Sequence, residues 1–279
     1  MLDFQSTLCD SDYVSGRHYV SNKFLKGLSN RKRKIAKSFG DASQSYDLAA
    51  NIQKKACTLL FDALAERRLL PSENILEIGC GTGNLTKLLL RGFPNSEVLA
   101  TDISDTMLRK CDHNIAGCKR LNLSLMDGEN PQLNGSYDLI TSSLAFQWFE
   151  DQNNAIRNLQ RFLKPQGQIL FTTLGQKTFQ EWRACHDVVG TDYAGMNYIS
   201  SHDLIGHQTT FDVKTLYPDS LSFLRVLKSI GATTLSEGRK PYTHRQLKKL
   251  LAALDATATS RGVGITYEII LNTVRKNDI

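Results

Sequence analysis

Glycines at 79, 81 and 83 follow the acidic Glu77 in Glu77-Ile78-Gly79-Cys80-Gly81-Thr82-Gly83, and this is where the 279-residue chain is best equipped for chemistry. A turn without side chains lets a ligand lie flat against the backbone. The dinucleotide fingerprint G-x-G-x-x-G would need a glycine at position 84, where Asn84 stands. The spacing therefore points to S-adenosylmethionine and to methyl transfer. Three later segments agree. Asp102 closes the apolar run Val98-Leu99-Ala100-Thr101, 19 positions after Gly83, and with Ile103 beside it is suited to accept the ribose hydroxyls. Asp127, in Met126-Asp127-Gly128, is suited to accept the adenine amino group. Ser142-Ser143-Leu144-Ala145-Phe146-Gln147-Trp148 should face the reactive end, with Ser143 toward the cofactor. Each also suits a bland role: an aspartate closing a strand is often a helix cap, Ser104 reads as the cap of the next helix, and Met107 reads as packing.

These residues must be held at the carboxyl ends of strands, where an open parallel sheet binds its ligand. Apolar runs at 73–78, 96–102, 119–125, 136–142 and 168–174 alternate with helical patterns beginning near 84, 105 and 151. This alternation is that of a parallel sheet with helices on both faces. Runs at 210–216 and 265–274 could complete the sheet. Lys164-Pro165-Gln166-Gly167 reads as a turn. The stretch 35–65 reads as helical until Pro71-Ser72 interrupts, and further helical segments cover about 176–190, 219–230 and 243–256. Leu247, Leu250, Leu251 and Leu254 form an apolar stripe that turns Arg245, Lys248 and Lys249 outward. Residues 1–34 read as a flexible basic extension ending in Arg31-Lys32-Arg33-Lys34.

The net charge of +6 is uneven: residues 1–40 and residues 219–262 each hold eight basic against three acidic residues. This suits an acidic partner or anionic substrate, or simply a solvated surface. No aromatic stacking platform accompanies the basic run, so no nucleic-acid partner is expected. No run approaches the roughly 18 apolar residues of a membrane span, and the N-terminus lacks a signal-peptide pattern. Six cysteines without a C-x-x-C pair suggest neither zinc nor disulfides and fit a reduced, cytoplasmic protein. The histidines show no metal-ligand spacing, so no metal is expected.

Residues 75–83, Asp102-Ile103-Ser104 with Met107-Leu108, and Lys164-Pro165-Gln166-Gly167 resemble class I S-adenosylmethionine-dependent methyltransferases. More specifically, the chain resembles the malonyl-acyl-carrier-protein O-methyltransferases of early biotin synthesis. That likeness rests on Phe39-Gly40-Asp41-Ala42-Ser43, Tyr46-Asp47, Ala49-Ala50 and Gln53 near the start. It continues in Leu144 to Phe149, Phe171-Thr172-Thr173-Leu174, Leu227 to Thr233, Glu237-Gly238-Arg239 and Leu247 to Thr273. It covers roughly residues 35–275; Gln166 stands where many members have a second glycine. The resemblance implies a Rossmann-like α/β fold, a seven-stranded mostly parallel sheet with helices on both faces. The methyltransferase domain would span 35–279, with a helical substrate lid at about 176–205 and 219–262. It implies transfer from S-adenosylmethionine, leaving S-adenosylhomocysteine, to the free carboxylate of malonyl-acyl-carrier-protein or malonyl-CoA, giving the methyl ester that starts pimeloyl synthesis.

Such a carboxyl is already ionised at neutral pH, so no general base is needed and catalysis is mainly positioning in a dry site. Tyr46, Gln147 and Trp148 are the positioning candidates, Tyr46 because the family's N-terminal helix folds over the cofactor mouth. A cation should grip one carboxylate oxygen; of Arg183, Arg225 and Arg239, Arg183 is preferred because the family's lid begins there. Glu77, Gly79, Gly81, Gly83, Asp102, Ile103, Asp127, Gly128 and Ser143 are the cofactor-binding candidates. The alternatives are another small acid, a quinone-like ring (which would want a base near 142–148, where none stands), or a non-catalytic protein holding the cofactor or nucleic acid.

Overall fold

The computed structural model describes residues 22–46, 51–66, 74–232 and 241–277. Asp47, Ala49-Ala50, Pro71-Ser72 and Glu237-Gly238-Arg239 lie outside the described residues, as do residues 1–21.

The apolar runs become strands because both of their faces are covered. They are β1 Asn74–Ile78, β2 Glu97–Asp102, β3 Leu121–Leu125, β4 Tyr137–Ser143, β5 Leu163–Leu174, β6 His207–Tyr217 and β7 Val263–Arg275. They form one sheet in the order β3-β2-β1-β4-β5-β7-β6. Strands β1 to β5 pair in parallel, and β7 runs antiparallel between β5 and β6. The order switches at β1, which lies between β2 and β4, so the crevice at its carboxyl end falls at the glycine turn.

The helices are α1 Asn22–Gly27, α2 Asn30–Ala42, α3 Asn51–Glu66, α4 Asn84–Gly92, α5 Asp105–Asn114, α6 Gln152–Gln160, α7 Gln180–Val189, α8 Ser220–Ser229 and α9 His244–Asp255. One face of the sheet packs Leu60, Leu89 and Leu108 of α3, α4 and α5 against Ile75, Val98 and Leu139. The other packs Ile156 and Leu159 of α6 against Leu76, Ile140 and Phe171. A third apolar cluster joins α7, α8 and α9 to β7 through Trp182, Phe223, Leu250 and Tyr267. The segments expected to form a lid, 176–205 and 219–262, contain these three helices. Ser104 does cap α5, its hydroxyl accepting from the Met107 amide.

Three expectations change. Residues 22–34 do not lie outside the fold: Ser29 caps α2, and Lys32 and Ile35 are buried. The helical stretch at 35–65 is interrupted, because α2 ends at Ala42 and the turn at 43–45 follows; among the described residues, α3 then runs from Asn51. Lys164-Pro165-Gln166-Gly167 lies within the span of β5 as an irregularity. Tyr137 pairs with Leu163 and Leu139 with Gln168, so Asp138 alone faces four residues, three more than a regular ladder would place there. The Asp138 carboxylate accepts from Lys164 Nζ at 2.6 Å and from the Asn74 amide at 2.8 Å, holding the irregularity against β1.

Candidate active site

Gly79, Gly81 and Gly83 all adopt positive φ, at 69°, 54° and 90°. Their roles differ. A Cβ on Gly79 would lie 2.5 Å from the Ala145 Cβ, so this glycine lets the turn after β1 meet the turn after β4. A Cβ on Gly81 would meet nothing within 4 Å, and Gly81 lines a cavity. A side chain there would therefore occupy the space a ligand needs. Gly83 does not line that cavity; its missing Cβ would strike Ile115 at 2.8 Å and the Cys111 sulfur at 2.9 Å. Its task is packing α4 against α5.

Asp102 braces the turn. Its Oδ2 accepts from the Gly81 amide at 2.9 Å and its Oδ1 from the Ser104 amide at 2.8 Å. Each oxygen keeps acceptor capacity for a ribose hydroxyl. Burial pushes its pKa up to about 6, opposed by those backbone donors. Glu77 lies beneath the turn rather than in the cavity wall. Its carboxyl accepts from Thr86 Oγ1 at 2.6 Å, and burial pushes its pKa up to about 8. It is a brace for α4.

The cavity is lined by Gly79, Gly81, Asp102, Ile103, Asp127, Gly128 and Ser143, as the sequence suggests. Ser143 is held by Thr172 Oγ1 and the Cys57 thiol, each donating at 3.3 Å; burial drives the Cys57 pKa to about 12, so this thiol stays neutral. Sequence reasoning missed Lys32, Ile35 and Phe39, which come from α2 at helical spacing; Met107, read as packing, is buried and also touches the wall. The signal available was Ser29, an N-cap residue placed before that spacing. Lys32 Nζ lies 2.6 Å from Asp127 Oδ2 and 2.7 Å from Glu129 Oε2. Burial opposes its charge, but these hydrogen bonds carry its pKa above the ordinary lysine value. A flat floor of backbone with two aspartates at its edge and apolar walls suits an adenosyl group, so these residues fit S-adenosylmethionine.

A second cavity, the lid cavity, of about 320 Å³, is lined by residues of α7, α8 and α9, the segments expected to form a lid. It shares Phe39, Tyr46, Leu144 and Trp148 with the first, so the two spaces meet there. Tyr46 and Trp148 both pack edge-on to Phe39, with ring centroids 6.4 and 5.1 Å away. Leu144 takes a left-handed backbone, φ 52°, which is costly without glycine. Gln147 lines the lid cavity and holds this strained turn, donating to the Leu144 carbonyl at 2.6 Å and accepting from Thr173 Oγ1 at 3.4 Å.

Arg183 lines neither cavity. Its guanidinium donates to the carbonyls of Thr178 and Gln176. Its charge still reaches Tyr193, a lid-cavity residue that burial pushes up to about 12, and pulls that value down. Arg225 is exposed near Asp219 on α8, and Arg239 lies outside the described residues. Lys228 contributes a cation to the lid-cavity lining, and the sequence reading did not single it out.

A family described as a methyltransferase domain matches residues 76–169. A malonyl-[acyl-carrier protein] O-methyltransferase of Magnetococcus marinus is 31% identical, over 88% of this chain and 93% of that protein. The chain belongs to the malonyl-[acyl-carrier protein] O-methyltransferase family. Family likeness also extends to the biotin biosynthesis bifunctional protein BioCD of Bordetella avium, 37% identical over 88% of this chain, of which the chain spans about half, 52%. Among solved structures, the YcgJ protein of Bacillus subtilis matches with a TM-score of 0.55 at 15% identity, over 78% of this chain and 98% of that one. Phosphoethanolamine N-methyltransferase 2 of Haemonchus contortus, solved with phosphomonomethylethanolamine and S-adenosylhomocysteine, matches with a TM-score of 0.52 at 14% identity, over 88% of this chain and 60% of that one. At such identities these two show the fold: the family member described here has the Rossmann-like class I methyltransferase architecture.

Proposed function

We propose that the chain methylates the free carboxylate of a malonyl group carried as a thioester on acyl carrier protein, yielding the methyl ester used to begin biotin's pimeloyl chain. The observation that carries this reading is the meeting of the two cavities at Phe39, Tyr46, Leu144 and Trp148. An acceptor held under the lid then faces the cofactor's reactive end. The names of the relatives support the choice of acceptor.

S-adenosylmethionine supplies an electrophilic methyl on a sulfonium. The chain's residues position and dehydrate. Asp102 and Asp127 hold ribose and adenine, and Gly81 leaves room for them. The aromatic junction excludes water, which favours a reaction in which opposite charges disappear. No residue takes a proton, because the carboxylate carries none at neutral pH. Tyr46, at the junction, is assigned to hydrogen-bond one carboxylate oxygen. Arg183 acts only through its charge behind Tyr193, since its planar fork is occupied by backbone carbonyls. The exposed face of α9, with Arg245, Lys248 and Lys249, suits an acidic carrier protein. The cysteine pattern supports a reduced, cytoplasmic setting.

The test is methyl transfer from labelled S-adenosylmethionine to malonyl-acyl-carrier-protein, malonyl-CoA and free malonate, side by side. Base-labile label on the carrier-bound malonyl group, in preference to the other two, is expected. No transfer to any of the three, with S-adenosylhomocysteine binding intact, refutes the reading.

A further inference from the structure

The cofactor cavity is finished by a residue far from the glycine turn in sequence. Lys32, on the first turn of α2, is 6% exposed and reaches the loop after β3. There it joins two carboxylates, Asp127 and Glu129, at 2.6 and 2.7 Å. Three of the four carboxylate oxygens accept a hydrogen bond of defined direction. Asp127 Oδ1 accepts from the Glu129 amide at 3.1 Å, and Oδ2 accepts from Lys32 and from Asn130 Nδ2 at 3.2 Å. Glu129 Oε1 accepts from the Asp151 amide at 2.7 Å, at the N-cap of α6. The start of the helix is pinned just before Lys32: Arg31 donates to the Trp148 carbonyl at 2.7 Å, and Ser29 to Glu150 at 3.1 Å.

We propose that Lys32 is a positioning residue that acts through Asp127: by fixing the carboxylate plane it aims the remaining acceptor capacity into the cavity and so sets selectivity for an amino group on the purine ring. Without the ammonium, Asp127 and Glu129 would repel at close range, and Asp127 would lose the shortest of the three hydrogen bonds that orient it. A more loosely held carboxylate can satisfy other donors through water, so it discriminates less among purines. The lysine thereby makes α2 part of the cofactor site and not merely its cover. The proposal rests on the cofactor half of the function above and is independent of which acceptor is methylated.

The experiment measures the dissociation constants of S-adenosylhomocysteine and S-inosylhomocysteine, which differ in a donor against an acceptor at the purine 6-position. A site that aims an acceptor at that position rejects the inosyl compound. The native chain is expected to prefer S-adenosylhomocysteine by at least about ten-fold. Lys32→Met is expected to lower the ratio several-fold, and Lys32→Arg to restore part of it. Glu129→Gln, outside the cavity lining, weakens the same clamp from the other side and should move the ratio in the same direction even if Lys32→Met does not fold. Combined with Asp127→Asn, Glu129→Gln should have no further effect on the ratio. An unchanged ratio in folded Lys32→Met, or in Glu129→Gln if Lys32→Met does not fold, overturns the proposal, as does a native chain that does not discriminate. Because binding is read without an acceptor, failure here is separate from failure to methylate malonyl-acyl-carrier-protein.

Discussion

In its proposed role Asp102 faces two opposed requirements: it must be buried to grip a ribose, yet charged to accept from it. Its pKa of about 6 against an ordinary 3.8 means that the folded protein binds this proton more tightly than the unfolded chain does. This group's contribution to stability therefore falls as pH rises from about 4 to about 6. Affinity for S-adenosylhomocysteine runs the other way, weakening as pH falls through about 6 and the carboxylate loses an acceptor. Calorimetric titration between pH 5 and 8 should show this drop, and Asp102→Asn should abolish the pH dependence while lowering affinity throughout. The glycines separate in the same manner. Gly81→Ala should lose at least ten-fold in S-adenosylhomocysteine affinity with a modest change in melting temperature, because its methyl enters open space. Gly83→Ala should lower the melting temperature first, because its methyl strikes Ile115 and Cys111. Tyr46→Phe should lower kcat/KM for malonyl-acyl-carrier-protein by roughly ten-fold, the value of one hydrogen bond to a charged group, with S-adenosylhomocysteine affinity held.

At the scale of elements, the helices that cover the site differ in how they are anchored. The stripe on α9 behaves as its spacing predicts: Leu250 and Leu254 are fully buried, Leu247 lines the lid cavity, and Arg245, Lys248 and Lys249 are exposed. Leu250→Ala should therefore cost about 2–5 kcal/mol in chemical denaturation, a buried leucine leaving a void. Helix α2 follows a different logic. Its apolar spacing is diluted by Arg31, Lys32, Arg33, Lys34 and Lys37, so a periodicity reading places its first turns in solvent. One of those lysines is buried because two carboxylates from a distant loop meet it. The β5 irregularity is similar: Pro165 and Gly167 mark a break, but only pairing with β4 on both sides of it shows that the strand resumes.

Across the whole molecule, two cavities meet at a shared junction, and α9, which lines the second with Leu247, carries an exposed basic face. If the carrier docks on α9, Lys248→Glu with Lys249→Glu should raise KM for malonyl-acyl-carrier-protein several-fold and leave KM for malonyl-CoA nearly unchanged. The effect should shrink with added salt, as steering by exposed charges does. The parallel sheet, the glycine turn, Asp102, Asp127 and the family were legible in the sequence, because strand alternation and a tight turn are local demands that each residue meets with its neighbours. The distribution of tasks among those residues was not. That Gly83 packs helices, that Glu77 braces from below, that Arg183 is engaged by carbonyls and that Lys32 completes the cofactor wall were decided only by the tertiary structure. The reason is physical: burial and charge pairing depend on which distant groups arrive at the same place, and such separations, like the 95 positions between Lys32 and Asp127, leave no local pattern.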